Sequence, residues 1–197
     1  CSSDYAQISY LNHIYQGDFN IIWIDAHADL NTPESTPSQN FHGMTLRCLT
    51  GDGPDELTNL IYKRLEPKQM IFSGLRSIDP EEIRYLEEHK IRVFSVLETT
   101  DGALKNIKFN SNNLYIHVDI DSLDQSIFSD CVTPTSKGFD LDTLTTLIRD
   151  LRKNHNFIGG AMTEYGPKTE NASLQIIQAL LFDGFDIENS FSEDKLF

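Results

Sequence analysis

Short apolar runs alternate with longer amphipathic stretches along almost the whole chain. The runs at 20–25, 69–73, 91–96, 114–119 and 157–163 are too short for typical helices, and they are expected to form buried strands. Helical patterns fill the intervals at 4–16, 54–64, 80–89, 140–153 and 171–182. The clearest is 140–153, where Leu141, Leu144, Leu147, Ile148 and Leu151 make a stripe of helical period. Leu174, Ile177, Leu180 and Leu181 repeat that arrangement in 171–182. Alternating strands and helices predict an α/β fold of three layers, α/β/α, around a mainly parallel sheet. No internal repeat or low-complexity linker divides the chain. A single domain over 1–187 is therefore expected, followed by an acidic, serine-containing tail at 188–197.

Two of the strand ends carry chemistry. The run Ile21-Ile22-Trp23-Ile24 leads into Asp25-Ala26-His27-Ala28-Asp29, and Leu114-Tyr115-Ile116-His117-Val118 leads into Asp119-Ile120-Asp121. Side chains two apart on an extended chain point to the same side. Each end can therefore aim a set of carboxylates, one set with an imidazole, at one spot beyond the strand. In parallel sheets that is where ligands bind. Oxygen and nitrogen ligands crowded in this way repel one another unless cations lie between them. Two such ends predict a binuclear divalent-metal site. His117 reads as a surface or core histidine, and because it shares the face of Asp119 and Asp121 on a regular strand it could at most support a ligand. Trp23 reads as core, and His13, His89 and His155 as surface or core histidines.

Length and composition narrow the class. The chain has 197 residues, 39% of them apolar, enough for a substantial core. Sixteen basic against 30 acidic residues leave a net charge of −14, which disfavours nucleic-acid and anionic-membrane partners. No apolar run approaches the roughly 20 residues of a membrane span. Cys1, Cys48 and Cys131 lie far apart without zinc-type pairing, which favours a cytoplasmic location over a disulfide framework.

Three ordered motifs carry a resemblance. Asp25-Ala26-His27-Ala28-Asp29-Leu30-Asn31-Thr32-Pro33 is followed by Ser38-Gln39-Asn40-Phe41-His42-Gly43-Met44. Then come Asp119-Ile120-Asp121-Ser122-Leu123-Asp124 and Met162-Thr163-Glu164-Tyr165-Gly166-Pro167. Together these resemble the ureohydrolase family, and arginases most of all. The resemblance implies two divalent ions, manganese first among them. Asp25 and Asp119 would bridge the ions, Asp29 would complete one, and His27 and Asp121 the other. It implies hydrolysis of the guanidinium group of L-arginine to L-ornithine and urea, with a small guanidino compound as substrate and a homo-oligomer as the assembled state. Glu164 would hold the guanidinium, His42 would shuttle protons, and Asp29 would pass one to the leaving amine. Asn31, Thr36 and Ser38 match positions that bind an α-carboxylate, and Asp79 and Glu82 match positions that receive an α-ammonium.

The sequence departs from the family pattern in three places. A strand, a helix and a Gly-Gly-Asp-His turn normally come first, so the amino-terminal part of the usual fold is expected to be missing. Cys1-Ser2-Ser3-Asp4 stands near the place of the family's histidine ligand, one residue off the usual spacing. Either Cys1 is a thiolate ligand, which would favour a softer ion, or one ion has lost a protein ligand. The loop at 131–138 lacks its usual glycines, and Gln125 stands where a proline is usual. Three other readings stay open: a ureohydrolase of the agmatinase, guanidinobutyrase or formiminoglutamase type, a catalytically silent arginase-like protein, and a mononuclear enzyme of the nucleotide-sugar Asp-x-Asp kind. Individual residues also have plainer roles. Asp79-Pro80-Glu81-Glu82 is a helix-start signature in its own right, and His42 and Glu164 could be a loop histidine and a structural ion-pair partner.

Overall fold

The computed structural model describes residues 1–166 and 174–187. Pro167, the start of the expected helix at 171–182 and the expected tail at 188–197 lie outside the described residues. Five strands, β1 (Asn20–Ile24), β2 (Met70–Ser73), β3 (Arg92–Phe94), β4 (Asn113–Asp119) and β5 (Asn156–Thr163), pair in parallel in the order β3-β2-β1-β4-β5. The helices are α1 (Asp4–Ile14), α2 (Thr45–Leu49), α3 (Asp55–Thr58), α4 (Pro80–Glu88), α5 (Val96–Thr100), α6 (Leu141–Asn154) and α7 (Leu174–Gln178). The last continues as a wider π-helix over Ala179–Gly184.

Both faces of the sheet are apolar, as a parallel sheet covered on two sides requires. Ile22, Ile24, Ile71, Ile116 and Val118 point one way and pack with Leu144, Ile148 and Leu151 of α6. The alternate residues Ile21, Trp23, Met70, Phe72 and Tyr115 point the other way and pack with Ile8 of α1 and Tyr85 and Leu86 of α4. The chain runs outward from β1 through β2 to β3, then crosses back to lay β4 on the other side of β1. The order of strands therefore reverses between β1 and β4, and a parallel sheet opens a ligand crevice at such a point.

Two expectations about elements are corrected. The helical pattern at 54–64 forms only α3, because the chain then turns back so that the Leu65 amide can bond the Leu49 carbonyl (2.9 Å). Leu60 and Tyr62, which a longer helix would have packed, are exposed. The strand expected at 91–96 stops at Phe94, because Ser95 and Glu98 form a reciprocal capping box that starts α5. Residues 45–49, not expected to be regular, form α2, whose first amides (Leu46 and Arg47) bond the Asp29 carbonyl.

Gly138 is where the 131–138 loop presses on the β4 exit. A Cβ there would lie 2.4 Å from the Leu123 carbonyl carbon and 2.5 Å from the Asp124 nitrogen, both backbone atoms. Gly138→Ala should cost about 1–3 kcal/mol, measured by urea unfolding. A change below about 0.5 kcal/mol, typical of an unconstrained surface site, would mean that this contact is not made.

Candidate metal centre

The β1–β4 register pairs Ile24 with Val118, so Asp25 and Asp119 emerge side by side at the strand ends. Each uses one carboxylate oxygen locally. Asp25 Oδ1 accepts the His27 amide (2.8 Å), and Asp119 Oδ1 accepts the Asp121 amide (2.9 Å). These are the turn-forming bonds expected of an aspartate at a strand end. They leave Oδ2 of each residue aimed at a shared space, where Cys1 Sγ lies 3.0 Å from Asp119 Oδ2 and 3.9 Å from Asp25 Oδ2. The turn role of each carboxylate therefore does not use up its second oxygen.

Two groups of potential ligand atoms result, each with its members within 4.8 Å of one another. One comprises Cys1, Asp25, His117 and Asp119, and the other Asp25, His27 and Asp121. Asp25 belongs to both. Asp29 belongs to neither, although its Oδ2 is buried without a hydrogen-bond partner. His27 Nδ1 lies 3.0 Å from Asp121 Oδ2 and 3.5 Å from Asp25 Oδ1.

Electrostatics explain how so much acid is held together. Burial first, and then the Asp25 charge, push the carboxyls of Asp29, Asp119 and Asp121 above the usual carboxylate range. Burial would raise Asp25 too, but the neighbouring His117 and His27 imidazoles outweigh it and hold that carboxyl low. Burial alone would lower both histidines. Asp121 and Asp25 instead push His27 up to about 11, and Asp4 and Asp25 push His117 up to about 10. The cluster thus draws in positive charge and protons, and its donors (four carboxylates, two imidazoles and a thiol) suit divalent ions. Metal ligands must be deprotonated, so bound ions would take the place of those protons.

All the residues expected from the sequence line one cavity of about 330 Å³, near the lower end of the small-molecule range. They are Cys1, Asp25, His27, Asp29, Asp119 and Asp121, then Asn31, Thr36 and Ser38, then Asp79 and Glu82, and finally His42 and Glu164. Asn31 donates to Asp79 Oδ2 (2.8 Å), and the hydroxyls of Thr36 and Ser38 are 3.3 Å apart. Glu82 is buried, with its oxygens accepting the amides of Asp79 and Leu30 (both 2.9 Å), so it starts α4 and anchors the 25–31 loop as well. His42 Nδ1 lies 3.8 Å from Glu164 Oε1, and that oxygen also accepts from the Cys1 nitrogen (2.9 Å). Asp29 and Glu164 have φ of 53° and 61°, left-handed values that are unfavourable without glycine and that cluster at functional sites.

Several contributors were missed by sequence reasoning. Trp23 is core, as expected, but its indole also donates to Asp25 Oδ2 (3.1 Å). Thr163, in register with Asp119, donates to Asp119 Oδ2 (3.2 Å). Thr133, from the loop without the usual glycines, donates to Asp121 Oδ2 (2.8 Å). The Arg76 guanidinium reaches carbonyls of Gly74, Asp121, Leu123, Thr135 and Ser136, tying the β2 and β4 exits to the 131–138 loop. His117 joins a ligand group, which its expected supporting role did not foresee. Register could have pointed to Thr163, but nothing local signals the rest.

Adding Mn²⁺ or Zn²⁺ to metal-free protein at about 100 times the dissociation constant should stabilise it by about 2.7 kcal/mol per site. For a chain of this size that raises Tm by about 5–10 °C, and excess EDTA should reverse the rise. An unchanged Tm at millimolar metal would contradict the cation-binding character of the cluster.

Comparison with known proteins identifies the family and fold. The model of the arginase family matches residues 2–182. An arginase of Entamoeba histolytica is 32% identical over 157 residues, covering 76% of this chain and 53% of its own length. The chain thus spans about half the length of that curated relative. The crystal structure of Entamoeba histolytica arginase in complex with L-ornithine superposes with a TM-score of 0.80 at 25% identity, covering 90% of this chain and 64% of that one. The formimidoylglutamase of Bacillus subtilis shares the fold at a TM-score of 0.75 and 20% identity, covering 96% and 58%. With its parallel sheet, the acidic ends of β1 and β4 and this family match, the chain belongs to the arginase family.

Proposed function

We propose that the chain carries the active site of a binuclear-metal hydrolase that converts L-arginine and water to L-ornithine and urea. The observation that carries the reading is the single cavity lined both by the acidic strand ends and by polar groups suited to an amino acid. Asp25 and Asp119 would bridge two divalent ions, Asp29 and Cys1 would complete one, and His27 and Asp121 the other. Manganese fits the carboxylate-rich set, and a softer ion fits if the Cys1 thiolate takes part. When bound, the ions supply activation of water at neutral pH.

The chain's own residues do the rest. The Glu164 carboxylate pairs with the planar guanidinium and fixes its carbon for attack. His42, beside Glu164, carries protons between the site and solvent, and Asp29 delivers one to the departing amine of ornithine. Asn31, Thr36 and Ser38 bind the α-carboxylate. Asp79, already held by Asn31, receives the α-ammonium, with Glu82 behind it. The likeness to a formimidoylglutamase favours one second reading, a hydrolase of a formimino compound at the same site. A cytoplasmic homo-oligomer is the expected setting. The three cysteines are buried and form no disulfide, and no helix among the described residues is long and apolar enough to cross a membrane.

Assay of arginine, agmatine, guanidinobutyrate and formiminoglutamate, with urea or formamide release measured, tests the substrate. Asn31→Ala and Ser38→Ala should each raise KM for arginine by about 10–100-fold, the effect of a hydrogen bond to a charged group, and barely affect agmatine. Equal effects on both would remove the α-carboxylate assignment. Asp119→Asn should lower kcat/KM by more than about 100-fold, beyond what loss of a ligand's supporting hydrogen bond costs, and deplete bound metal. Near-normal turnover and metal content would overturn the bridging role.

A further inference from the structure

His117 sits on β4, two residues before Asp119, and is fully buried. Three contacts fix its ring. Nδ1 lies 3.1 Å from Asp4 Oδ1 on the first turn of α1. The ring stacks on Trp23, its neighbour in register on β1, with centroids 3.4 Å apart and planes within 7°. Tyr115, on the same face of β4, donates its hydroxyl to the same Asp4 oxygen (2.7 Å), which holds that carboxylate in place as an acceptor. With Nδ1 directed at Asp4, Nε2 is the nitrogen left to offer a lone pair to an ion once its proton is displaced.

Nε2 has no hydrogen-bond partner. It points towards Asp25, but the 3.7 Å gap to Oδ2 is too long for a hydrogen bond. Buried side-chain nitrogens are satisfied in the large majority of cases, and an orphan costs about 1–3 kcal/mol. A purely structural histidine this firmly placed would be expected to have both nitrogens occupied. Here the free one falls within the group formed with Cys1, Asp25 and Asp119. A carboxylate behind one ring nitrogen and an open second nitrogen among acidic ligands is the arrangement of a metal-binding imidazole.

We propose that His117 Nε2 is a ligand of the ion held by Cys1, Asp25 and Asp119, and that Asp4 is its positioning residue. This rests on the binuclear reading above and extends it. In this arrangement β4 supplies the imidazole beside the Cys1 thiol, and α1 supplies the carboxylate that orients it. The two ions have unlike donor sets, one with a thiol and a buried imidazole, the other with the half-buried His27 and Asp121.

Metal content of the full-length protein, stripped and reloaded with Zn²⁺ or Mn²⁺, tests this. The wild type should hold two ions per chain, His117→Ala one, and His27→Ala one. Asp4→Asn keeps the shape of the side chain and should weaken binding of a single ion by about 10–100-fold. A crystal structure with anomalous scattering should place an ion about 2.0–2.3 Å from Nε2. Two ions held at unchanged affinity in both His117→Ala and wild type would make His117 a structural bridge between Asp4 and Asp25. That overturns the proposal and leaves the binuclear reading standing. A wild type that binds no ion would sink both. Should His117→Ala fail to fold, the anomalous map of the wild type decides, and an ion far from Nε2 would overturn the ligand.

Discussion

The pairing of β1 with β4 forces two aspartates together at the centre of the sheet, and the site follows from that constraint. Adjacent parallel strands lie about 4.8 Å apart, and the register puts Asp25 next to Asp119. Two carboxylate charges at about 4 Å repel by about 4 kcal/mol at the effective dielectric typical of proteins. Sliding one strand by a residue would separate them, but it would also turn every core side chain of that strand to the wrong face. Ile21 to Ile24 and Leu114 to Val118 are fully or almost fully buried on both faces, so the core holds the register against the repulsion. The repulsion can then be relieved only by positive charge brought to the strand ends.

The supporting structure is arranged to deliver that charge in a fixed place. Asp25 and Asp119 each give one oxygen to a turn, which fixes the direction of the other. Thr163 and Trp23 donate to those remaining oxygens, and Thr133 donates to Asp121. Arg76 contributes a permanent cation, yet its donors are directed to backbone carbonyls of neighbouring loops. It braces the β2 and β4 exits without occupying the space between the aspartates. Left-handed backbone at Asp29 and Glu164 marks where the chain leaves β1 and β5 under strain, and the hydrogen-bonded loops hold it there.

The strands and the acidic ends were legible in the sequence because both obey a period of two. Asp25, His27 and Asp29, or Asp119 and Asp121, announce a shared face without knowledge of any other strand. The capping signature at Ser95 to Glu98 was equally local, but the apolar run through Val96 masked it. What could not be read were contacts set by register and by distant chain crossings. Trp23 meets His117 only because β1 and β4 pair as they do, and Asp4 reaches His117 only because α1 packs across that face. The pattern at 54–64 misled for the opposite reason. Its apolar residues had no partner surface, so tertiary structure ended the helix after Thr58.

The two ligand groups differ in exposure, and that difference has a consequence for how the site fills. Cys1, Asp25, His117 and Asp119 are all at most 5% exposed, whereas the His27 side chain is 28% exposed. On the proposed reading, the buried set with a thiol and an oriented imidazole would hold its ion the more tightly, because its ligands are preorganised. Cys1, Asp25 and Asp119 line the same cavity as His27 and Asp121, but the His27 side chain is the more open to water. Asp25 belongs to both groups, so an ion in the buried group would offset the Asp25 charge, which after burial is the main influence raising the Asp119 and Asp121 carboxyls. On the proposed binuclear reading, a first ion in the buried group would therefore ready the remaining carboxylates for a second.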